Sequence, residues 1–192
     1  MLSERTRLVA FSHCSNVVGT IHDARAFVTR IHEAGARAVI DGVAFAPHRR
    51  VDVRALGADA YGLSLYKVYG PHLGLLYVSP SLREALTNQN HDFLEGTGSY
   101  ELMPGNVSHE LAASLPGIVA YLEALDRHHA GDGRLDGAFR TIAAHEAQLA
   151  DRLLAFLRDH PKVHLLGHAD GDAERRVPTV TFRVEGRRSA EI

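Results

Sequence analysis

The chain has 192 residues, enough for one sizeable domain or two small ones, since domains usually run to about 100–200 residues. Its composition, 45% hydrophobic and 23% charged, is that of an ordinary globular protein and excludes a collagen-like fibre, a coiled coil and a disordered tail. The balance of 21 Lys+Arg against 23 Asp+Glu leaves a net charge of -2, so we expect no nucleic-acid partner. No stretch approaches the roughly 18 apolar residues of a membrane span. Residues 1–7 are charged and Cys14 is the single cysteine, which together predict a cytoplasmic protein.

Strands and helices alternate over the first 80 residues. Continuous apolar runs predict short strands, and apolar residues at helical spacing predict a helix over Asp23–Ala34, which Gly35 ends. Buried strands connected through helices are typical of a largely parallel sheet between helical layers, so the predicted fold class is α/β. The predicted strands are Leu8–Phe11, Arg37–Ile40, Tyr61–Leu65 and Leu73–Val78.

The second half of the chain indicates a change of architecture. A helical pattern covers Ser108–Leu125 with Pro116 inside it, and a second covers Ala138–Leu157. Between them, residues 128–137 are polar and rich in glycine, which predicts a boundary between domains at 1–128 and 129–192. We expect Ile142, Leu149, Leu153 and Phe156 to face inward from the second helix, and strands to form at Val163–Leu166 and Thr179–Val184.

Two polar residues follow neighbouring buried strands. Lys67 comes after the third strand and before Gly70-Pro71, at the sheet edge where open α/β folds bind ligands. A partly desolvated lysine there is suited to forming a Schiff base, although a surface lysine opening a turn fits its position equally well. Asp41 closes the preceding strand, where a carboxylate could pair with a protonated pyridine nitrogen. For an isolated Asp, a helix cap or turn is the commoner role.

Four ordered motifs resemble the class V aminotransferase and cysteine desulfurase family, which has the fold-type I architecture and depends on pyridoxal 5′-phosphate. The segments at 88–91 and 104–110 resemble the cysteine-desulfurase-like branch of that family more than the well-studied desulfurases. The resemblance is strong from residue 7 to about 125 and weaker beyond. It implies an enzyme that acts on an amino acid through pyridoxal 5′-phosphate. The four motifs lie at 12–21, 39–48, 51–59 and 64–71.

The resemblance also implies roles for individual residues. Lys67 matches the lysine that forms the internal aldimine with the cofactor and later carries the substrate's Cα proton. Asp41 matches the acid that binds the pyridine nitrogen, and Asn16 the amide that donates to the phenolic oxygen. Ser64 matches a hydroxyl that contacts the phosphate. Tyr66 replaces the histidine that is common before the lysine in desulfurases, and its hydroxyl could still donate to the phosphate.

Asn106 connects the resemblance to a second subunit. Gly105-Asn106 stands where the family usually has Gly-Thr, in a loop that reaches the cofactor phosphate of the other subunit, and an Asn can donate the same hydrogen bond. The resemblance therefore implies a homodimer with a shared active site. Ala44 departs from the Gln or His that the family often has three residues after the aspartate, which weakens the expectation of desulfurase activity.

The sequence leaves the chemistry of the protein open at this point. The family's phosphate-binding loop, substrate-clamping Arg and mobile-loop Cys have no match here, so we expect the chain to be part of a longer protein. Desulfurase, aminotransferase and lyase chemistry are therefore not distinguished, and a catalytically incompetent remnant that keeps the fold and dimer surface is the alternative. A nucleotide-binding module is disfavoured because no Gly-rich phosphate fingerprint is present.

Cys14 lies away from the family's nucleophile loop and suits a small buried residue. The histidines show no convergent metal-ligand pattern.

Overall fold

A four-stranded mixed sheet organises the first half of the molecule. The computed structural model describes residues 2–103 and 105–192. The strands run in the order β1, β2, β3, β4; the first three are parallel and the fourth is antiparallel to the third. The α/β class and the largely parallel sheet are confirmed. The strands are β1 (Leu8–Ser12), β2 (Arg37–Asp41), β3 (Ala60–Ser64) and β4 (Gly74–Val78).

The register brings the C-terminal ends of the parallel strands to one edge of the sheet. Ser12 pairs with Asp41, and Asp41 pairs with Gly62. Because neighbouring residues on a strand point to opposite faces, the side chains of Ser12 and Asp41 share one face while those of Ile40 and Tyr61 share the other. The loops that follow all three strands therefore begin at this C-terminal edge.

One face of the sheet packs against two helices, α1 (Ala24–Glu33) and α2 (Val53–Leu56). Asp23 begins α1 by accepting a hydrogen bond from the Ala26 N–H at 2.9 Å, which satisfies one of the free donors of the first turn. The buried core of this face consists of Ala24, Val28, Ile31, Ala36, Ala38, Ile40, Ala58 and Tyr61.

The opposite face carries no helical layer within the described ranges. It borders a cavity of about 1370 Å³. From the chain beyond β4, this cavity is also lined by Ser99, Leu102, Met103, Gly105, Asn106 and Val107. Leu76 of β4 is 59% exposed and Leu8 of β1 is 54% exposed. Of the helical layers predicted on either side of the sheet, the described residues therefore supply the one formed by α1 and α2. An apolar strand sequence indicates that both faces can be covered, but not which segment covers them.

The helix predicted over Ser108–Leu125 is two helices, α4 (His109–Ala113) and α5 (Leu115–His128), after a short α3 (Pro80–Ala85). Pro116 explains the break. It has no N–H to donate to the carbonyl four residues earlier, so a continuous helix would lose a hydrogen bond there and gain a steric clash. In the first turn of α5 the missing donor costs nothing.

The second long helix, α6 (Leu135–Arg158), begins three residues earlier than predicted. The predicted inward face is wrong for Leu149, Leu153 and Phe156, which are exposed, while Ile142 packs in the cluster between α5 and α6. The apolar residues of α6 form two adjacent rows along the helix. The row that is buried contains small residues, which allow the helix to pack closely. The residues buried from α6 are Gly137, Ala138, Phe139, Ala150, Leu154 and Leu157.

Asp126 explains the glycine-rich segment between α5 and α6. Its buried carboxylate accepts hydrogen bonds from the N–H groups of Gly133 and Arg134, both at 2.9 Å. A Cβ at Gly131 or Gly137 would lie about 2.3 or 1.8 Å from this carboxylate. Glycine at these two positions therefore allows the loop to fold around Asp126. Helix α5 packs on α6 across the segment in which the sequence predicts a domain boundary, and the boundary itself stays a prediction.

The chain ends in an antiparallel pair, β5 (Val163–Leu166) and β6 (Thr181–Val184). The sequence pattern places both, although β6 begins two residues later than predicted. Arg176, in the connection between them, is buried and donates to the carbonyls of His168, Val177 and Thr179. In residues 2–103 and 105–192 there is no helix long and apolar enough to cross a membrane.

Candidate active site

The C-terminal edge of the sheet carries most of the residues that the sequence singles out. Asp41 is the last residue of β2. Asn16 lies in the loop after β1, and Lys67 follows β3 after only two residues. Open α/β folds bind ligands at this edge because the loops that leave the strands converge there.

Asp41 is exposed and makes little use of its carboxylate. Oδ1 accepts a local hydrogen bond from the Val43 N–H at 2.9 Å, and no arginine or lysine lies within ion-pair distance of it among the described residues. The backbone is held more firmly, since the Asp41 carbonyl accepts from the His13 N–H at 2.8 Å. Asp41 is thus a fixed, exposed carboxylate with acceptor capacity to spare.

Lys67 ends a tight 3-10 turn over Leu65–Lys67. Leu65 is buried, and its carbonyl accepts from the N–H groups of Val68 at 2.8 Å and Gly70 at 2.9 Å. The Lys67 side chain is exposed, so the expectation of a partly desolvated lysine is wrong for this chain; its Nζ lies 5.9 Å from the centroid of the Tyr66 ring. Within the described ranges no carboxylate forms an ion pair with it. The backbone position is therefore rigid and the amine is free.

The backbone beyond Lys67 is under constraint. Tyr69 has φ of 61°, a left-handed conformation that costs energy in any residue with a Cβ. A Cβ at Gly70 would lie 2.4 Å from Ile118 Cδ1, so this turn packs directly against α5. Contact with α5 thus holds a strained turn immediately after the lysine.

The remaining predicted residues surround this edge on two sides. Ser64, at the end of β3, is half-buried, and Asn16 is exposed. Tyr66 is exposed and stacks on the His72 ring with 5.0 Å between centroids. No side-chain hydrogen bond of these three residues is found in residues 2–103 and 105–192. Their amide and hydroxyl groups are free to bind a ligand.

The cavity over the open sheet face separates the predicted residues into two groups. Asp41 and Asn106 line it, as does Ser12, whereas Lys67 does not. Asn16, Ser64 and Tyr66 do not line it either. Asn106 is exposed and shares the cavity with the Asp41 of its own chain. Pro104, from the same motif, lies outside the described residues.

His13 is the residue at this edge that the sequence analysis missed. It is buried, its ring stacks on Phe45 with 3.6 Å between centroids, and Nδ1 lies 2.9 Å from the Tyr61 hydroxyl. Burial lowers the pKa of His13 to about 4, with a smaller effect of His22. Burial also raises the pKa of Tyr61, and the charge of Asp41 adds to that effect. The phenol therefore stays protonated and shares a hydrogen bond with a neutral imidazole.

The cluster of His13, Phe45 and Tyr61 lies directly beneath Asp41. A Cβ at Gly42 would lie 2.0 to 2.3 Å from atoms of the Tyr61 ring. A glycine is therefore needed directly after Asp41 for the chain to pass over this ring. The alternation of β1 could have indicated that His13 points inward with Phe11. The ring stack, however, depends on a loop residue, Phe45, whose position the strand pattern does not predict.

Cys14 is buried, as the sequence analysis expects. Its thiol donates to the carbonyl of Gly19 at 3.5 Å. Burial raises the pKa of Cys14 to about 11, against a smaller lowering by Arg49. A buried thiol that stays protonated near neutral pH is a poor nucleophile. Three or more metal-binding side chains do not converge anywhere in the part of the chain that the structure describes.

Comparisons with known proteins identify the family. The model of the aminotransferase class-V family matches residues 1–192. The chain is 39% identical to the aminotransferase-like protein FGM3 of Gibberella zeae, covering 100% of this chain and 46% of that protein. It is also 39% identical to the cysteine desulfurase-like protein ustD of Aspergillus flavus, covering 100% and 42%, and 34% identical to a cysteine desulfurase of Dickeya dadantii, covering 87% and 41%.

A solved structure shows the same fold. The cysteine desulfurase CsdA of Escherichia coli superposes with a TM-score of 0.69 at 24% identity, covering 98% of this chain and 46% of that one. The chain therefore has the fold of fold-type I enzymes and spans about half the length of the curated relatives it matches. From the full-length family match, we conclude that the chain belongs to the aminotransferase class-V family, whose members depend on pyridoxal 5′-phosphate.

Proposed function

We propose that the C-terminal edge of the sheet holds pyridoxal 5′-phosphate and that the protein acts on an amino acid through a covalent bond between the cofactor and Lys67 Nζ. The observation that carries this proposal is the placement of Asp41 and Lys67 at the ends of two adjacent parallel strands. Both side chains are exposed and neither is engaged in an ion pair among the described residues. Both groups are therefore available to bind a ligand.

The donor set at this edge fits the cofactor's functional groups. Asp41 offers a carboxylate for a protonated ring nitrogen, and Asn16 offers an amide for the phenolic oxygen. The hydroxyls of Ser64 and Tyr66 offer donors for a phosphate. A Cβ at Gly62 or Gly74 would meet nothing within 4 Å, so the open sheet face has room beside Asp41. Each group of the cofactor thus has a chemically matched partner.

The bound cofactor supplies an electron sink for a substrate carbanion, which is its general role in amino-acid chemistry. Asp41, as an anion, holds the proton on the ring nitrogen and so keeps the sink effective. Lys67 Nζ would accept the proton from the substrate's Cα and return it later in the reaction. The tight turn at Leu65–Gly70 keeps this amine close to its site throughout.

The proposal also covers the substrate and the oligomeric state of the protein. The substrate is an amino acid, and desulfurase, aminotransferase and lyase chemistry all start from the same Cα deprotonation. The buried, protonated thiol of Cys14 argues against Cys14 as a sulfur-accepting nucleophile. We further propose a homodimer with a shared site, in which Asn106 of one subunit donates to the phosphate held by the other.

The test exploits the lysine content of the chain. Lys67 and Lys162 are its two lysines, and Lys162 is exposed beside β5. We expect the protein incubated with pyridoxal 5′-phosphate to gain a visible absorption band that Lys67→Ala abolishes and Lys162→Ala retains. If the Lys67→Ala protein keeps the band, or if the wild type gains none, the proposed function is wrong.

The open sheet face favours one competing function, a remnant that keeps the fold and dimer surface but has lost catalysis. Leu8 and Leu76 are exposed on that face or its edges, and apolar surface of this kind marks a contact site or an aggregation hazard. Size-exclusion chromatography with cofactor distinguishes the two functions. Monodisperse dimers that carry cofactor contradict the remnant, whereas dimers that never take up cofactor support it.

A further inference from the structure

Arg49 connects distant parts of the chain through one side chain. Its Nε donates to the Ala173 carbonyl at 3.0 Å, and Nη2 donates to the Arg176 carbonyl at 3.1 Å. Its Nη1 donates to Glu146 Oε2 at 2.9 Å and to the His48 carbonyl at 2.7 Å. A single guanidinium thus joins the loop after β2 to α6 and to the connection between β5 and β6.

His48 strengthens the same connection. Its Nδ1 lies 2.6 Å from Glu146 Oε1, so the two oxygens of one carboxylate engage His48 and Arg49 side by side. The side chains of Arg49 and Glu146 are 13% and 18% exposed. An ion pair that is mostly removed from water and has further hydrogen bonds is costly to break from one side. We call His48, Arg49 and Glu146 the carboxylate clamp.

A chain of local hydrogen bonds runs from the clamp to Asp41. The N–H groups of His48 and Arg49 donate to the Phe45 carbonyl, and the N–H groups of Phe45 and Ala46 donate to the Gly42 carbonyl. The Gly42 N–H in turn donates to the Gly62 carbonyl of β3 at 2.8 Å. The segment from Asp41 to Arg49 is therefore a compact turn in which backbone hydrogen bonds connect Arg49 to the residue next to Asp41.

A neighbouring pair offers a natural comparison. Arg50 forms an ion pair with Asp136, so it joins the same loop to the same helix. Both of these side chains are 47% exposed, and Arg50 reaches no backbone carbonyl in the described residues. Exposed pairs of this kind contribute little to stability. Loss of Asp136 removes one connection to α6 but leaves the clamp intact.

We propose that Arg49 is a positioning residue: by fixing the turn from Asp41 to Arg49 against α6 and the segment 173–176, it sets where the Asp41 carboxylate lies for the cofactor ring. This inference rests on the proposed function, in which Asp41 binds the ring nitrogen. It assigns to α6 and the segment 173–176 an indirect influence on cofactor binding, in which none of their residues needs to touch the cofactor.

The experiment measures pyridoxal 5′-phosphate binding by the purified protein carrying Arg49→Lys, with Asp136→Asn as the matched control. A lysine keeps the positive charge but cannot reach the three carbonyls and the carboxylate together. We expect the dissociation constant for the cofactor to rise about tenfold in Arg49→Lys, and to change less than about twofold in Asp136→Asn. We also expect the visible band of bound cofactor to shift in Arg49→Lys, which a purely structural role would not cause.

A second variant covers the case in which Arg49→Lys does not fold. Glu146→Gln removes the charge from the clamp while keeping its shape, and we expect a smaller rise of the dissociation constant in the same direction. If the folded variant shows an unchanged dissociation constant and an unchanged band, the inference is wrong. If the wild type itself forms no band, the proposed function fails, and that outcome is distinct.

Discussion

The two edges of the parallel sheet each carry an aspartate, and the two aspartates have opposite surroundings. Asp59, just before β3 at the N-terminal edge, is 3% exposed and accepts hydrogen bonds from the Ala38 N–H, His32 Nε2 and Arg37 Nη1. Asp41, at the C-terminal edge, is exposed and accepts one local hydrogen bond. The N-terminal edge is completed within the chain, whereas the C-terminal edge has binding capacity left for a ligand.

The largest change in the free energy of unfolding is expected at the completed edge. Asp59→Ala leaves the Ala38 N–H and the Arg37 guanidinium without their acceptor, which we expect to cost about 3 kcal/mol. Urea denaturation measures this loss. The control is Asp52→Ala, which removes an exposed helix cap worth about 1 kcal/mol. Equal losses in the two variants would contradict a special role of the buried network.

The surroundings of Asp59 also make the stability of the fold depend on pH in the acid range. Burial raises the pKa of Asp59, but the hydrogen bonds from Ala38, His32 and Arg37 outweigh it and hold the pKa below its ordinary value. A lowered carboxyl pKa stabilises the fold above the unfolded-state pKa of about 3.9, and this stabilisation is lost as pH falls through the folded-state pKa. Below about pH 4 the stability difference between wild type and Asp59→Asn should therefore shrink.

Gly42→Ala should have the next largest effect. The new Cβ would lie 2.0 to 2.3 Å from the Tyr61 ring, and overpacking of this kind typically costs about 1–3 kcal/mol. Gly62→Ala, on the adjacent strand, is the control because a Cβ there meets nothing within 4 Å. The same denaturation measurement applies. A Gly42→Ala protein as stable as Gly62→Ala would show that the Tyr61 ring can move aside.

The sequence predicted most of the fold because the strands of the sheet are short, continuous apolar runs. It also predicted Asp41 and Lys67 at one edge, since parallel strands bring their C-terminal ends together. It did not predict His13 as part of the site, because the stacking partner Phe45 lies in a loop without periodicity. The sequence pattern did not identify the buried face of α6, because Leu153 and Leu154 belong to two helical stripes that are apolar to the same degree.

His13 should give an effect on stability that is graded with pH. Burial lowers the pKa of His13 to about 4, so between about pH 6.5 and pH 4 the unfolded chain binds a proton that the folded chain does not. Stability should therefore fall with decreasing pH in this window by up to about 1.4 kcal/mol per pH unit from His13 alone. Across the same pH window, the free energy of unfolding of His13→Gln should depend less steeply on pH than that of the wild type. An equal dependence would contradict the lowered pKa of His13.

The smallest effect on folding is expected at the open edge. Asp41→Asn removes an exposed charge with one local hydrogen bond, so we expect the free energy of unfolding to change by less than about 0.5 kcal/mol. Affinity for pyridoxal 5′-phosphate should nevertheless fall at least about tenfold. Isothermal titration with the cofactor and urea denaturation of the same sample provide both numbers. A large loss of stability would place Asp41 in the same class as Asp59.

The central claim is that Lys67 holds the cofactor. The most direct test is borohydride reduction of the protein mixed with pyridoxal 5′-phosphate, followed by mass spectrometry of its peptides, because the chain offers two lysines. We predict that the reduced cofactor is found on the peptide containing Lys67, at one cofactor per chain. Label on Lys162 alone, or equal label on both lysines, would contradict the claim.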